Sequence, residues 1–490
     1  MIYFFNLFFI MMNPITSVLS KVSGLPEPTL RLLLTLVLAY PTANLYHTRF
    51  STQHASTPQE RTQFILLSGL ALNFFFNGFS IIHTLITVGA SYVICLVVGE
   101  QLGDRKLAAT GVWILNALYL LLGYYFMQTD DYDITWTMTQ CILCLRMMGF
   151  AFDYYDGRQR VTMAGPVQTG ETNKTAIRKT ADKKPPVVLP LSFLADTPLT
   201  HLPTFVELLA YCVFPSAFLV GPQFSYSLFK KWIQTSYLDL TLEQKEERER
   251  AQTAYVIRCV ALAVVYLALQ QTVGAAYSTS YLLTEEYQSF GFLKRALIFV
   301  VAGATAAYGI SYEGDDEEGH ALFGGLANTL PATYETATSI DHIISAFNIN
   351  TNLWSKYYVF KRLKFLGNKQ ASQFGTLFFL AIWHGFHIMY FVTFALEFLY
   401  VACEQVLRAR LLPVVQPYTK QNEVYFYAWK ALAWLTCQLT ITYAVVGFEL
   451  LKVGKSFTAY KSVWFLGHLA IPLILGAHHF LPKPRVKKTA

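Results

Sequence analysis

His384 stands in the segment Ala381-Ile382-Trp383-His384-Gly385-Phe386-His387, inside an apolar run from Phe374 to Tyr400. An imidazole at membrane depth is costly to place and usually faces protein or a water-filled cavity, which makes it a functional-site candidate. The alternative is a structural histidine satisfied by a neighbouring helix. His387 follows one helical turn later, where it would share the face of His384. Zinc is disfavoured, because neither an HExxH pattern nor a carboxylate companion accompanies the pair; no metal is expected. Upstream lies a polar patch, Phe347-Asn348-Ile349-Asn350-Thr351-Asn352. An amide cluster paired with a buried imidazole points to chemistry carried out within a bilayer. No serine or cysteine sits in a nucleophile motif.

The elements that must position these residues are membrane helices. The chain has 490 residues, 54% hydrophobic and 14% charged, with mean hydropathy +0.36. A soluble protein carries about 25% charge. Aromatics reach 16%, suiting side chains at lipid and headgroup levels. The formal net charge is +7, but the basic residues are scattered among short loops between apolar runs, where they set topology; nucleic acid is not an expected partner. Cys141 and Cys144 form a CxxC within apolar sequence and read as packing residues.

Apolar runs near 29–46, 63–79, 80–98, 107–127, 134–152, 205–222, 254–274, 293–310, 374–402, 423–450 and 461–481 give about ten expected spans at about 20 residues each. A break is expected around Asn77-Gly78. The fold class is therefore all-α, a polytopic transmembrane bundle, read as one membrane domain over residues 1–490. Met1 to Met12 is apolar without a basic leader and reads as an interfacial helix rather than a signal peptide. Residues 157–202 form a hydrophilic loop rich in Lys, Arg, Thr and Pro, expected to be flexible and cytosolic. Its Asn173-Lys174-Thr175 sequon matters only in a luminal loop. Leu240 to Arg250 reads as a charged surface helix, and Glu313 to Glu318 as a solvated acidic loop. The tail at 484–490 is basic and expected to be cytosolic. Its Lys487 and Lys488 match the dilysine signal that returns membrane proteins to the endoplasmic reticulum, a receptor-read address.

From Asn348 to Lys369 three amides at alternate positions give way to aromatics interleaved with Lys356, Lys361, Arg362 and Lys364. Such a pattern suits anionic phosphates of lipid headgroups or of a phosphorylated cosubstrate. It also suits an interfacial amphipathic helix, although that reading gives the amides no role.

Several segments in order resemble the membrane-bound O-acyltransferases, and within them the branch that acylates lysophospholipids. They are Ile134–Met138 running on to Asp153-Tyr154-Tyr155-Asp156-Gly157; Ala217 to Ser225; Tyr281 to Tyr287; Phe347 to Lys369; Trp383-His384-Gly385; and Tyr460-Lys461-Ser462 with Phe465-Leu466-Gly467-His468. Two departures stand out: a longer loop after Gly157, and a short interval from Tyr287 to Phe347 with an Ala- and Gly-rich stretch where a longer helix is expected.

The resemblance implies a helical cage around a central catalytic chamber, with His384 and Asn348 as catalytic residues. It makes Asn352, Trp354, Lys361, Arg362, Trp383 and Gln223 candidate substrate-binding residues. The implied reaction moves a polyunsaturated acyl group from acyl-CoA to the sn-2 hydroxyl of lysophosphatidylcholine, with lysophosphatidylethanolamine and lysophosphatidylserine as further acceptors. Acyl-CoA is a cosubstrate and no cofactor is implied; a homodimer is compatible with the resemblance. Two other classes are weighed against this: the same family acting on a peptide or neutral lipid, and a transporter. No internal repeat of the transporter kind is visible.

Overall fold

The computed structural model describes residues 14–24, 26–50, 56–127, 129, 134–163, 198–234, 241–302, 314–315, 321–322, 327–477 and 480. The expected N-terminal interfacial helix, the sequon, most of the acidic loop and the basic tail with Lys487 and Lys488 lie outside these residues. So does residue range 164–197 of the hydrophilic loop.

Two compact units divide the chain, one drawing on residues 1–128, 133–252 and 311–326, the other on 129–132, 253–310 and 327–490. The first contains α1 (Pro14–Ser23), α2 (Glu27–Phe50), α3 (Pro58–Asn77), α4 (Ile81–Ile94), α5 (Arg105–Met127), α6 (Trp136–Met163), α7 (Phe205–Cys212) and α8 (Tyr226–Gln234). The expected interruption at Asn77-Gly78 is a 3-10 turn over Gly78–Ser80. Gly78 takes φ 57° there, a conformation glycine adopts without a Cβ penalty. Thr57 with Glu60 and Thr204 with Glu207 form capping boxes that start α3 and α7.

Buried polar side chains tie these apolar helices together. Asn116 Nδ2 donates to Ser91 Oγ at 2.9 Å, Asn77 Nδ2 to Thr139 Oγ1 at 3.0 Å, and Trp113 Nε1 to the Met148 carbonyl at 2.9 Å. Between helices in lipid such bonds do part of the work that the hydrophobic effect does in water. Arg146 is the strongest pin. Its guanidinium is buried and donates to the carbonyls of Tyr211, Cys212 and Ala217 at 3.0, 3.1 and 2.8 Å. These are the orphan carbonyls at the end of α7 and in the turn beyond it. The segment Asp153–Gly157 docks the returning chain: the Asp153 carbonyl accepts from the Leu199 N–H at 2.8 Å. A Cβ at Gly157 would lie 1.9 Å from the Leu199 carbonyl oxygen, so no larger residue fits.

A long helix, α9 (Leu242–Leu269), contains the charged stretch that sequence reading treats as a separate surface helix. The second unit goes on with α10 (Glu285–Ser289), α11 (Phe292–Ala302), α12 (Pro331–Glu335), α13 (Ile340–Ala346), α14 (Ile349–Ser355), α15 (Lys369–His384), α16 (Ile388–Gln421), α17 (Glu423–Leu450), α18 (Val453–Ser462) and α19 (Leu466–Ala477). Its core gathers Leu282, Tyr287, Phe299, Met389, Leu396, Tyr400, Tyr443 and Tyr460. Tyr287 OH and Ser462 Oγ are 2.8 Å apart, and Tyr443 OH lies 2.5 Å from His468 Nδ1. The Tyr281–Tyr287 and Tyr460–His468 segments are thus one packing unit. The interval after Tyr287 holds α11, and residues 303–313 within it lie outside the described residues.

Fewer helices than the ten expected spans are both long and apolar throughout among the described residues. Among the described residues four helical runs are long and apolar enough to cross a membrane: Pro58–Gln101, Arg105–Met127, Ile388–Gln421 and Glu423–Leu450. Two bent pairs, Thr16–Val22 with Glu27–Phe50 and Val453–Ser462 with Leu466–Ala477, raise this to six at most. Apolar sequence is not always long helix. The run at 205–222 holds only the eight-residue α7. That at 134–152 belongs to a helix carrying Arg146, Asp153, Asp156 and Arg158, and that at 374–402 is cut at Gly385.

Replacing Arg146 with Ala strands three carbonyls. A loss of about 3–5 kcal/mol is expected, on the scale of breaking a buried charged network. Thermal unfolding in detergent checks this; an unchanged midpoint would remove Arg146 as the pin.

Candidate active site

His384 does not lie mid-helix as the apolar run suggests. It is the last residue of α15, because Gly385 follows at φ 128° and ends the helix. Only glycine adopts that backbone without strain. His387 therefore does not continue the face of His384; it is the N-cap of α16. The chain doubles back, and aromatic pairs zip α15 to α16: Phe374 with Phe398 and Phe378 with Phe391, at ring separations of 6.1 and 5.7 Å.

The half-buried His384 ring sits in an aromatic box. Trp383 lies 4.7 Å away, Phe448 5.0 Å, and Tyr390 and Phe394 5.5 Å each, between ring centres. Tyr390 and Phe394 are one turn apart on α16, and Phe448 comes from α17. Among the described residues neither ring nitrogen of His384 has a hydrogen-bond partner.

Asn348 is the N-cap of α14 and takes φ 50°, ψ 40°. Asparagine tolerates this left-handed conformation better than most residues. Its side chain does not cap the helix. Instead Asn348 Oδ1 accepts from Asn328 Nδ2 at 3.2 Å. With the oxygen so occupied, the Nδ2 protons of Asn348 are left without a partner among the described residues. Asn328 holds the bend in two further ways: its carbonyl accepts from the Ile349 N–H at 3.0 Å, and its Oδ1 from the Asn350 N–H at 3.2 Å.

The same hairpin carries both candidates. Leu363 meets Ser372, whose Oγ donates to its carbonyl at 3.0 Å, and Trp354 stacks on Phe379 at 5.8 Å. These pairings run antiparallel, with the turn at Lys361–Asn368. Asn348 and His384 both lie beyond the Trp354–Phe379 pair, on the arms away from the turn, which is the open end of the hairpin. The helix before Asn348 is anchored to α16 as well: the Ile340 N–H donates to Glu404 Oε2 at 3.0 Å, and Arg408 Nη2 to the Thr338 carbonyl at 3.1 Å.

The other sequence candidates separate. Trp383 is buried at the open end beside His384. Asn352 commits both amide protons, to the carbonyls of Ile344 and Phe347 at 2.9 and 2.8 Å, and so shapes the bend. Trp354, 2% exposed, packs the hairpin interior. Lys361 and Arg362 sit at the closed end, where Lys361 Nζ lies 3.6 Å from the Tyr357 ring centre. Gln223 belongs to the first unit and donates to the Ile142 carbonyl at 3.0 Å. Asn328 was not visible in the sequence, since a lone amide in the stretch Gly324-Gly325-Leu326-Ala327-Asn328 carries no pattern.

The arrangement defines a class: a polytopic helical protein whose hairpin carries an imidazole and a carboxamide NH2 that have no hydrogen-bond partner among the described residues. A sequence model of the membrane-bound O-acyltransferase family matches residues 121–448. The chain belongs to this family. It is 31% identical to lysophospholipid acyltransferase 5 of Drosophila melanogaster, an alignment covering 93% of this chain and 88% of the fly protein. The Mus musculus protein of the same name is 30% identical, with 95% and 92% covered. A lysophospholipid acyltransferase of Schizosaccharomyces pombe is 24% identical over 72% of this chain and 67% of its own length.

Asn328→Ala is expected to lower acyl transfer roughly 10²-fold, on the scale of misplacing a reacting group by about 1 Å, with unchanged accumulation in membranes. Initial-rate assays of the membranes check it; wild-type turnover would show that Asn348 needs no such support.

Proposed function

We propose that this chain is a lysophospholipid acyltransferase, moving a fatty acyl group from coenzyme A to the free sn-2 hydroxyl of a lysophospholipid. The observation that carries this reading is the pair of unpartnered groups, His384 and the Asn348 amide, at the open end of one hairpin. Around them a chamber takes the water-soluble donor from the cytosolic side and the lipid from the bilayer. The acceptors are lysophosphatidylcholine and, with it, lysophosphatidylethanolamine and lysophosphatidylserine; the donors are polyunsaturated acyl-CoAs. The site is in the endoplasmic reticulum membrane, with a cytosolic C-terminus returned through Lys487 and Lys488.

His384 takes the proton of the glycerol hydroxyl as its oxygen attacks the thioester carbonyl. The aromatic box favours the uncharged ring, the form able to accept a proton. The ring then returns the proton to the departing thiolate, so that ester and free thiol are the products. Base catalysis of this kind contributes roughly 10²–10⁴-fold. Asn348 donates to the oxyanion that develops on the thioester oxygen, and its orientation is fixed beforehand by Asn328. No acyl-enzyme is needed, because both substrates in one chamber gain from proximity. The reading calls on no metal or cofactor.

His384→Ala is expected to abolish thiol release from acyl-CoA on addition of lysophosphatidylcholine, while the protein still accumulates. Asn348→Ala is expected to lower turnover about 10²–10³-fold, the usual cost of one oxyanion donor, with little change in donor KM. Normal turnover by the His384 variant removes it as the base. A change confined to donor KM makes Asn348 a binding residue. Wild-type protein that releases thiol only with a peptide or neutral-lipid acceptor, or none at all, refutes the function.

A further inference from the structure

Glu397 is a carboxyl that the catalytic scheme leaves unused. It lies in α16, one of the helices long and apolar enough to cross a membrane. Ionisable groups in such helices mark functional sites by default. On a helix, residues three, four and seven apart share a face. Glu397 is seven residues beyond Tyr390 and three beyond Phe394, the two α16 residues whose rings flank His384. It is therefore on the face that forms the aromatic box, about 4.5 Å along the axis from Phe394. Helical side chains lean toward the N-terminus, which brings its carboxyl back toward the level of His384. The residue is half-buried, and among the described residues it makes no hydrogen bond or ion pair. α16 does pair a carboxylate elsewhere, Glu404 with Arg408 at 2.8 Å.

We propose that Glu397 selects the acceptor, its carboxylate binding the cationic amine of the lysophospholipid headgroup while His384 holds the reacting hydroxyl. The proposal rests on the lysophospholipid reading above. The charge that the protein does not supply to Glu397 arrives with the substrate. The ring of Phe394, one turn back on the same helical face, adds a face that attracts a quaternary ammonium.

The test measures kcat/KM of purified protein for lysophosphatidylcholine and for lysophosphatidylglycerol, which lacks a cation, with one acyl-CoA. Wild type should prefer the choline lipid. Glu397→Gln keeps the shape and the hydrogen-bonding capacity but not the charge. It should lose about tenfold on the choline lipid, the equivalent of ~1.4 kcal/mol, and leave the glycerol lipid within about twofold. Glu397→Asp should restore much of the preference. A Gln variant that keeps the preference overturns the proposal, as does a parallel fall on both acceptors or a wild type without preference. Wild type inactive on both lipids instead refutes the lysophospholipid reading itself, before any variant is compared.

Discussion

The site depends on one packing interaction, the stack of buried Trp354 on Phe379 inside the hairpin from Asn348 to His384. Neither catalytic candidate touches the other through a protein hydrogen bond, so nothing local holds them in register. The register comes from the hairpin: Trp354 on Phe379 midway, and Ser372 on the Leu363 carbonyl near the turn. Both arms then end abruptly. Asn348 in a left-handed conformation starts one helix, and Gly385 at φ 128° stops the other. Broken helix ends expose polar groups that lipid cannot satisfy, and such backbone is tolerated only where protein or a water-filled cavity receives it. Helix ends of this kind on the two arms of one hairpin are natural locations for polar chemistry.

The supporting structure divides the labour. Asn328 and Asn352 spend their amides on the bend around Asn348, leaving the Asn348 donor free. Aromatic rings from α15, α16 and α17 enclose His384 without bonding its nitrogens. Preorganisation of this kind puts the ordering cost into folding rather than into the reaction. The Tyr443–His468 bond ties α17, which carries Phe448, to α19.

Much of this was legible in the sequence. His384 and Asn348 stood out because an imidazole in an apolar run and alternating amides are rare near lipid, and the order of the surrounding motifs pointed to the family that the chain belongs to. Other features left no local trace. Hydropathy counts apolar residues and does not register that Gly385 stops a helix, so the sequence puts His387 on the same helix as His384 when it caps the next one. Asn328 acts across the bridge between Thr329 and Phe347, a tertiary contact with no periodicity. Asn352 looked like a substrate ligand, yet its donors are consumed by backbone carbonyls. Glu397 passed unnoticed because one carboxylate does not disqualify a span.

The most direct test of the central claim is a structure of the protein in lipid nanodiscs with an unreactive thioether analogue of acyl-CoA and a lysophospholipid. The account predicts the lipid hydroxyl within about 3 Å of a His384 ring nitrogen, the distance for proton transfer, and the Asn348 amide directed at the position of the thioester oxygen. Analogue and lipid bound away from the open end of the hairpin, or the two side chains facing different cavities, would contradict it.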